Sequence, residues 1–224
     1  EGEYSPALFP LISLSAMSLA TFWYPFLNKL NRLVSRLMYS VKPFIPCPLP
    51  PNGSVLLVSD HSTLGDPLVL LATAGRPLHF LIAREIYKRQ GLKWVFQAFQ
   101  TIPVSRGEQD VGALRSMLKV LERGKVVALF PEGGIENFRD ESGYLGVAYL
   151  AMKTGAPVVP VSILWGGHRP TSILGTLFVP GKVTVRYGEP LYFQFHSYLK
   201  RQELEDITKQ VMDGIKSLRG EKVL

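Results

Sequence analysis

Short apolar runs alternate with stretches of helical periodicity over most of the chain. Apolar and β-branched runs predict strands over residues 55–59, 78–82, 101–104, 126–130, 158–164 and 183–187. Apolar positions three or four apart predict helices over residues 67–74, 84–99, 110–123, 144–154 and 203–218. Strands separated by helices are typical of an α/β fold, here a mixed, largely parallel sheet flanked by helices.

The amino-terminal stretch differs from the rest, because no residue from Ser5 to Asn28 is charged. About 20 apolar residues cross a bilayer, but Pro10 and Pro25 limit the usable helix here to about 14 residues. Residues 29–42 then place basic residues between apolar ones at helical spacing, which predicts a basic amphipathic helix. A membrane span, a shallow or re-entrant helix and an ordinary core-packing helix remain open, and the uncharged segment favours membrane association.

Prolines divide the chain into three parts. Five prolines between residues 43 and 51 form a stiff connector that ends at Asn52 and Gly53. We therefore predict N-terminal membrane-associated helices over residues 1–42, a proline-rich connector over 43–53 and the main domain over 54–224.

Composition narrows the class of partner. Of the 224 residues 46% are hydrophobic and only 19% charged, so some apolar surface is expected to meet lipid. The net charge of +7 suits either nucleic acid or an anionic membrane. The sequence has no zinc-ligand spacing, RNP-like aromatic motif or basic arm, which argues against nucleic acid. The single cysteine, Cys47, permits no intrachain disulfide and fits a reducing, cytoplasmic-face location.

The first candidate for chemistry is the pair His61 and Asp66, which follows the first strand of the main domain. A separation of five positions does not stack two side chains on one helix, so the pair must meet in a curled loop. Gly65 permits that curl, and Pro67 opens the next helix. Asp66 would then hold the Nδ1 proton and leave Nε2 as a general base. A purely structural, hydrogen-bonded histidine is the alternative.

Two further strand ends carry candidate groups, at the edge where open α/β sheets place ligands. Gly133 and Gly134 could present backbone N–H groups to an anion, and Glu132 could align a hydroxyl; a tight turn is the alternative. Arg106 suits bidentate phosphate recognition, unless it is an ordinary surface arginine. Pro160, inside the fifth apolar run, predicts an edge strand or a bulge.

Together these blocks resemble the glycerolipid acyltransferases related to 1-acylglycerol-3-phosphate acyltransferase, which share an HX4D motif. The resemblance covers residues 55–191 in four ordered blocks: His61 with Asp66, residues 102–106, residues 130–133 and residues 158–161. It implies transfer of a fatty-acyl group from acyl-CoA or acyl-carrier protein to a lysophospholipid hydroxyl. The reaction would take place at a membrane surface and would need neither a metal nor a redox cofactor.

The resemblance also implies roles for individual residues. His61 would be the general base and Asp66 its orienting partner. Acceptor binding would fall to Arg106, Glu132, Gly133, Gly134 and Arg84, the last of which is followed by Glu85.

Two departures from the family pattern leave the acceptor open. Asp60 stands where the family usually has asparagine, and Gly134 with Ile135 stand where it has threonine and arginine. Loss of that arginine removes a phosphate partner, so a lysophospholipid other than lysophosphatidic acid is an alternative acceptor. Thioester hydrolysis by the same dyad and a noncatalytic membrane lipid-binding role are the other two interpretations.

Overall fold

The structure is a computed structural model that describes residues 14–43, 47, 49–88, 91, 93–105, 110–131, 142–167, 175, 180–195 and 200–220. Its strands are β1 (Lys42–Pro43), β2 (Val55–Ser59), β3 (Leu78–Ala83), β4 (Ile102–Val104), β5 (Val126–Leu129), β6 (Val158–Gly166) and β7 (Lys182–Tyr187). Its helices are α1 (Leu14–Tyr39), α2 (Asp66–Thr73), α3 (Arg84–Tyr87), α4 (Lys93–Ala98), α5 (Val111–Glu122), α6 (Ser142–Thr154) and α7 (Arg201–Arg219).

The strands form one sheet in the order β1-β7-β6-β2-β5-β3-β4. The five strands from β6 to β4 run parallel, while β7 pairs antiparallel with β6, and β1 pairs parallel with β7. The predicted mixed, largely parallel sheet flanked by helices is therefore confirmed. Because parallel strands end at the same edge, the carboxyl ends of β2, β4 and β5 lie at one edge of the sheet.

Helices cover both faces of the sheet, because successive strand residues point to opposite sides. Val55 and Leu57 of β2 pack in the apolar cluster that α1 and α2 cover. Leu56 and Val58 pack in the cluster under α5, α6 and α7. All four side chains are fully buried, which explains why β2 appears in the sequence as a continuous apolar run.

One predicted helix is in fact two short ones. The periodicity predicts a single helix over residues 84–99, but the structure has α3 and α4 there. Gly91, between them, has a φ of 84°, in the left-handed region that a continuous right-handed helix does not contain. The single-helix prediction is therefore wrong.

Helix α1 runs through Pro25, which the sequence pattern predicts as a helix end. Proline removes one backbone hydrogen bond of the helix, at a cost of about 3 kcal/mol. Packing of α1 against α2 and α4 offsets this cost: Asn31 Nδ2 donates to the Leu68 carbonyl at 2.9 Å, and Tyr39 is fully buried. The boundary at Pro25 is therefore wrong, while Pro10 lies outside the described residues. Among the helices that the structure describes, none combines the length and hydrophobicity that a bilayer crossing requires.

Pro160 lies in β6, an internal strand between β2 and β7, so the prediction of an edge strand is wrong. On the β7 side, Val161 pairs with Tyr187 and Val158 pairs with Leu191. The segment that faces Pro160 therefore has one residue more between these two pairs than β6 has. That extra residue is a bulge, the other half of the sequence prediction. The proline is tolerated because it lacks an N–H where the ladder between β6 and its neighbour is interrupted.

Candidate active site

The turn after β2 wraps around the carboxylate of Asp66. His61 Nδ1 lies 2.9 Å from Asp66 Oδ2, so the two side chains meet as the curled-loop interpretation predicts. The backbone N–H groups of Ser62 and Thr63 donate to the same oxygen at 2.7 and 2.8 Å. Asp66 is fully buried at the start of α2, with Pro67 in the first turn, as predicted. A carboxylate only accepts hydrogen bonds, so Nδ1 donates to Asp66, and in the neutral ring Nε2 then presents a lone pair.

The other oxygen of Asp66 binds a tryptophan at the end of β6. Trp165 Nε1 donates to Asp66 Oδ1 at 2.7 Å, and the indole is almost fully buried. A Cβ atom at Gly65 would lie 2.9 Å from Trp165 Cη2, closer than real Cβ contacts. Gly65 has a φ of −81°, which any residue can adopt, so the prediction that glycine is needed here for its backbone freedom is wrong. Glycine is needed because a larger side chain would collide with the indole of Trp165. Sequence reasoning missed Trp165, because nothing local links it to a residue 99 positions away.

Aromatic rings form a wall beside His61. The imidazole stacks on Phe130, with ring centroids 4.4 Å apart and planes inclined by 27°. Phe80 stacks in turn on Phe130 at 5.9 Å. The His61 side chain is 13% exposed, so a substrate group can reach it. Among the residues that the structure describes, none forms a hydrogen bond with Nε2.

Arg84, a predicted acceptor contact, lies next to the cap of α5. Its Nη2 is 3.4 Å from Asp110 Oδ2, and its side chain is half exposed. Asp110 accepts hydrogen bonds from the N–H groups of Ser105 and Ala113, both at 2.9 Å. These backbone donors, Ser105 first, hold the pKa of Asp110 below its usual value. Arg84 and Asp110 therefore fix the chain where it leaves β4, immediately before position 106.

The remaining predicted site residues, Arg106, Glu132, Gly133 and Gly134, lie outside the described residues. The strands that precede them are placed: β4 ends at Val104, and β5, which pairs with β2, ends at Leu129.

The dyad and the fold together indicate a class of protein. A base-competent histidine held by a buried carboxylate at a sheet edge is typical of enzymes that activate a hydroxyl group or water. A family model described as Acyltransferase matches residues 45–164, more than half of the chain. The chain belongs to this family and is an acyltransferase, so the resemblance predicted from the four blocks is confirmed.

Three known proteins illustrate the relationship. The 1-acyl-sn-glycerol-3-phosphate acyltransferase of Bacillus subtilis is 23% identical over 199 residues, spanning 88% of this chain and 97% of that protein. The probable 1-acyl-sn-glycerol-3-phosphate acyltransferase of Mycoplasma pneumoniae is 31% identical over 159 residues, spanning 63% of this chain and 57% of that protein. The crystal structure of the 1-acyl-sn-glycerophosphate acyltransferase PlsC of Thermotoga maritima aligns with a TM-score of 0.65 at 23% identity, covering 92% and 83% of the two chains. This structural likeness confirms the fold.

Substituting Trp165 by phenylalanine tests whether the indole N–H holds the dyad. Phenylalanine keeps an aromatic ring in the site but leaves Asp66 Oδ1 without its donor at 2.7 Å. An unsatisfied buried acceptor costs about 1–3 kcal/mol, or roughly 5- to 150-fold in kcat if the cost falls on the transition state. We expect kcat for acyl transfer to fall within that range. Trp94→Phe, at an exposed tryptophan, is the control, and equal losses in both variants would contradict this role.

Proposed function

We propose that this acyltransferase moves a fatty-acyl group from acyl-CoA or acyl-carrier protein to the hydroxyl of a lysophospholipid of the 1-acyl-sn-glycerol-3-phosphate type. The reaction would serve phospholipid biosynthesis or remodelling. The observation that carries the proposal is the His61–Asp66 pair, with its Nδ1–Oδ2 distance of 2.9 Å. The names of the relatives from B. subtilis and M. pneumoniae support the choice of acceptor.

In the proposed mechanism the acceptor hydroxyl attacks the thioester carbonyl while His61 Nε2 removes its proton. A C–O bond forms and the carbonyl becomes a tetrahedral oxyanion. The oxyanion collapses with cleavage of the C–S bond, and the imidazolium returns its proton to the departing thiolate. Asp66, already hydrogen-bonded to Nδ1, stabilises the imidazolium without moving. These steps use only side chains and the two substrates, so we propose no metal or redox cofactor.

Acceptor recognition is proposed for groups along the same sheet edge. Arg106 follows β4 and would pair with the acceptor phosphate through its planar, permanently charged guanidinium. Glu132, Gly133 and Gly134 follow β5, the strand next to β2, so they would reach a hydroxyl bound at the dyad. Arg84 would add positive charge near the phosphate, since its side chain is half exposed beside Asp110.

Product identification by mass spectrometry tests the proposed function. The protein is incubated with labelled oleoyl-CoA and an equimolar mixture of lysophosphatidic acid and lysophospholipids with larger headgroups. We expect labelled diacyl product and release of free CoA that depends on added lysolipid. CoA release that is independent of lysolipid would instead indicate thioester hydrolysis. Vesicle binding without product from any acceptor would indicate a noncatalytic lipid-binding protein.

We propose that α1 lies on a membrane surface. Its inner side packs on the domain through apolar residues, among them Leu27 and Tyr39, and its outer side is largely apolar as well. Polar residues on its inner side are buried against the domain, among them Asn28, Asn31 and Ser35. Large apolar residues on its outer side are exposed, namely Phe22, Trp23, Phe26, Leu30, Leu33 and Leu37. A face of this kind is stabilised by burial in the boundary between headgroups and acyl chains.

Basic residues flank this outer face. Lys29, Arg32 and Arg36 are exposed and recur at intervals of three and four, so they form one row along α1. A row of cations beside an apolar face suits an anionic membrane, where each contributes about 1 kcal/mol near the surface. We propose a location at the cytoplasmic face, where the reduced, half-buried thiol of Cys47 would be stable.

Charges introduced on the outer face of α1 are expected to weaken membrane binding. The double substitution Phe26→Glu and Leu33→Glu removes two exposed apolar side chains that would enter the lipid. Each is worth up to about 1.5–3 kcal/mol when fully buried, so we expect vesicle binding at least about tenfold weaker. Flotation with vesicles of phosphatidylglycerol and phosphatidylcholine measures the effect.

The matched control for this substitution is the double substitution Tyr192→Glu and Phe195→Glu, at two exposed aromatic residues in the segment after β7. It introduces the same charge away from α1 and should leave flotation unchanged. If the α1 variant floats as well as the unsubstituted protein, the outer face does not bind the membrane.

A further inference from the structure

Asp60, the residue before His61, forms a second buried carboxylate site on the opposite face of the sheet. Its Oδ2 lies 2.7 Å from Arg219 Nε and 3.3 Å from the hydroxyl of Ser162. Its Oδ1 accepts the N–H of Ile163 at 3.1 Å. Strand alternation explains the placement, since Asp60 follows β2 on the side that α7 covers. Sequence reasoning identified Asp60 as a departure from the family pattern and missed Arg219, which lies 159 positions away.

Tight packing of α7 fixes the position of Arg219. A Cβ atom at Gly214 would lie 3.1 Å from Pro160 Cγ, so the helix approaches β6 as closely as glycine allows. Beyond this contact, Arg186 Nη1 of β7 donates to the carbonyl of Leu218 at 2.7 Å. The C-terminal part of α7 is therefore held by contacts with both β6 and β7. These contacts fix the position from which Arg219 binds Asp60.

We propose that Arg219 is a positioning residue for acyl transfer: by neutralising Asp60 it fixes the strand end that carries His61. The inference rests on the proposed function of His61 as the general base. The turn containing His61 is then clamped from both faces of the sheet, through Asp66 and Trp165 on the α2 side and through Asp60 and Arg219 on the α7 side.

The charge of Asp60 explains why the clamp needs an arginine. A buried carboxylate is stable only when it is paired, and removal of its partner leaves an uncompensated charge. In the variant Arg219→Met, the Asp60 carboxylate loses its partner at 2.7 Å and must reorient, and this change shifts the backbone next to His61. Asparagine at position 60 has no charge to neutralise and can still accept the N–H of Ile163. The arginine should therefore be dispensable once Asp60 is replaced by asparagine.

A double-mutant cycle on the full chain tests this proposal. Acyl transfer from oleoyl-CoA to 1-oleoyl-glycerol-3-phosphate is measured for Arg219→Met, Asp60→Asn and the combined variant. We expect kcat to fall about tenfold or more in Arg219→Met, with KM for the lysolipid changed less than about twofold. The combined variant should recover to within about threefold of Asp60→Asn. Arg201→Met, on the same helix with an exposed ion pair to Glu205 at 2.8 Å, is the control and should retain full activity.

Failure of the combined variant to recover would overturn the proposal, as would full kcat in Arg219→Met. If Arg219→Met does not fold, the comparison of the combined variant with Asp60→Asn decides alone: a tenfold loss there means that Arg219 acts other than through Asp60. Histidine side-chain NMR provides a readout that does not depend on activity. The Nδ1–H signal of His61 should shift in Arg219→Met and return in the combined variant, and an unchanged signal in all variants would refute the clamp. Absence of transfer by the unsubstituted protein would instead count against the proposed function.

Discussion

Replacing Asp66 with asparagine is expected to lower kcat for acyl transfer by about 100- to 10,000-fold. With the amide nitrogen toward His61, the amide donates to Nδ1, the ring proton moves to Nε2 and the base is lost. With the amide oxygen toward His61, the tautomer is kept, but the negative charge that stabilises the imidazolium is gone and the NH2 group faces the N–H of Trp165. Steady-state rates per folded protein, with folding checked by a thermal melt, measure the effect.

Asp206→Asn is the control for this substitution, because Asp206 is an exposed aspartate on α7. It makes the same chemical change away from the dyad and should leave kcat unchanged. A rate for Asp66→Asn within tenfold of the unsubstituted enzyme would show that the carboxylate does not support His61 in catalysis.

Replacing His61 with alanine is expected to reduce acyl transfer by about 100-fold or more, because the acceptor hydroxyl loses its proposed general base. In the proposed mechanism His61 and Asp66 act as a unit, so the combined variant His61→Ala with Asp66→Asn should be little worse than the more impaired single variant. Full additivity of the two losses would mean that the residues act independently.

His79→Gln is the control for this second substitution. His79 is buried, with Nδ1 3.2 Å from the Val126 carbonyl and Nε2 2.8 Å from Gln100 Oε1. Burial lowers its pKa. Val126 begins β5, so this histidine lies toward the end of the sheet opposite the dyad. We expect the variant His79→Gln to lower the melting temperature while kcat per folded molecule stays within about threefold.

Near-normal transfer by His61→Ala would refute the proposed mechanism.

The central sheet could be predicted from sequence because its signals are local. Residues 55–59 are a continuous apolar run that is buried on both faces, and β2 has the predicted bounds. The meeting of His61 and Asp66 could be predicted for the same reason, since only a few residues separate them. Predictions failed where tertiary packing or one backbone angle outweighs periodicity, as at Pro25 within α1 and at Gly91 between α3 and α4.

The contacts that hold the dyad could not be predicted from sequence. Trp165 and Arg219 reach the site only because of the strand order and the docking of α7, and neither has a local pattern that names its partner. The roles of Arg84, Arg106, Glu132, Gly133 and Gly134 stay predictions. For Arg84, the structure adds a contact with Asp110 that the sequence does not suggest.

The long separations of the two clamps have a consequence for synthesis of the enzyme. The ribosome completes the His61–Asp66 turn early, but Trp165 follows Asp66 by 99 positions and Arg219 follows Asp60 by 159. A nascent chain that already exposes α1 therefore carries the His61–Asp66 turn without these two contacts until α7 has emerged and docked. Under the proposed roles of α1 and Arg219, contact with lipid can thus precede catalytic competence, which requires α7 to have docked.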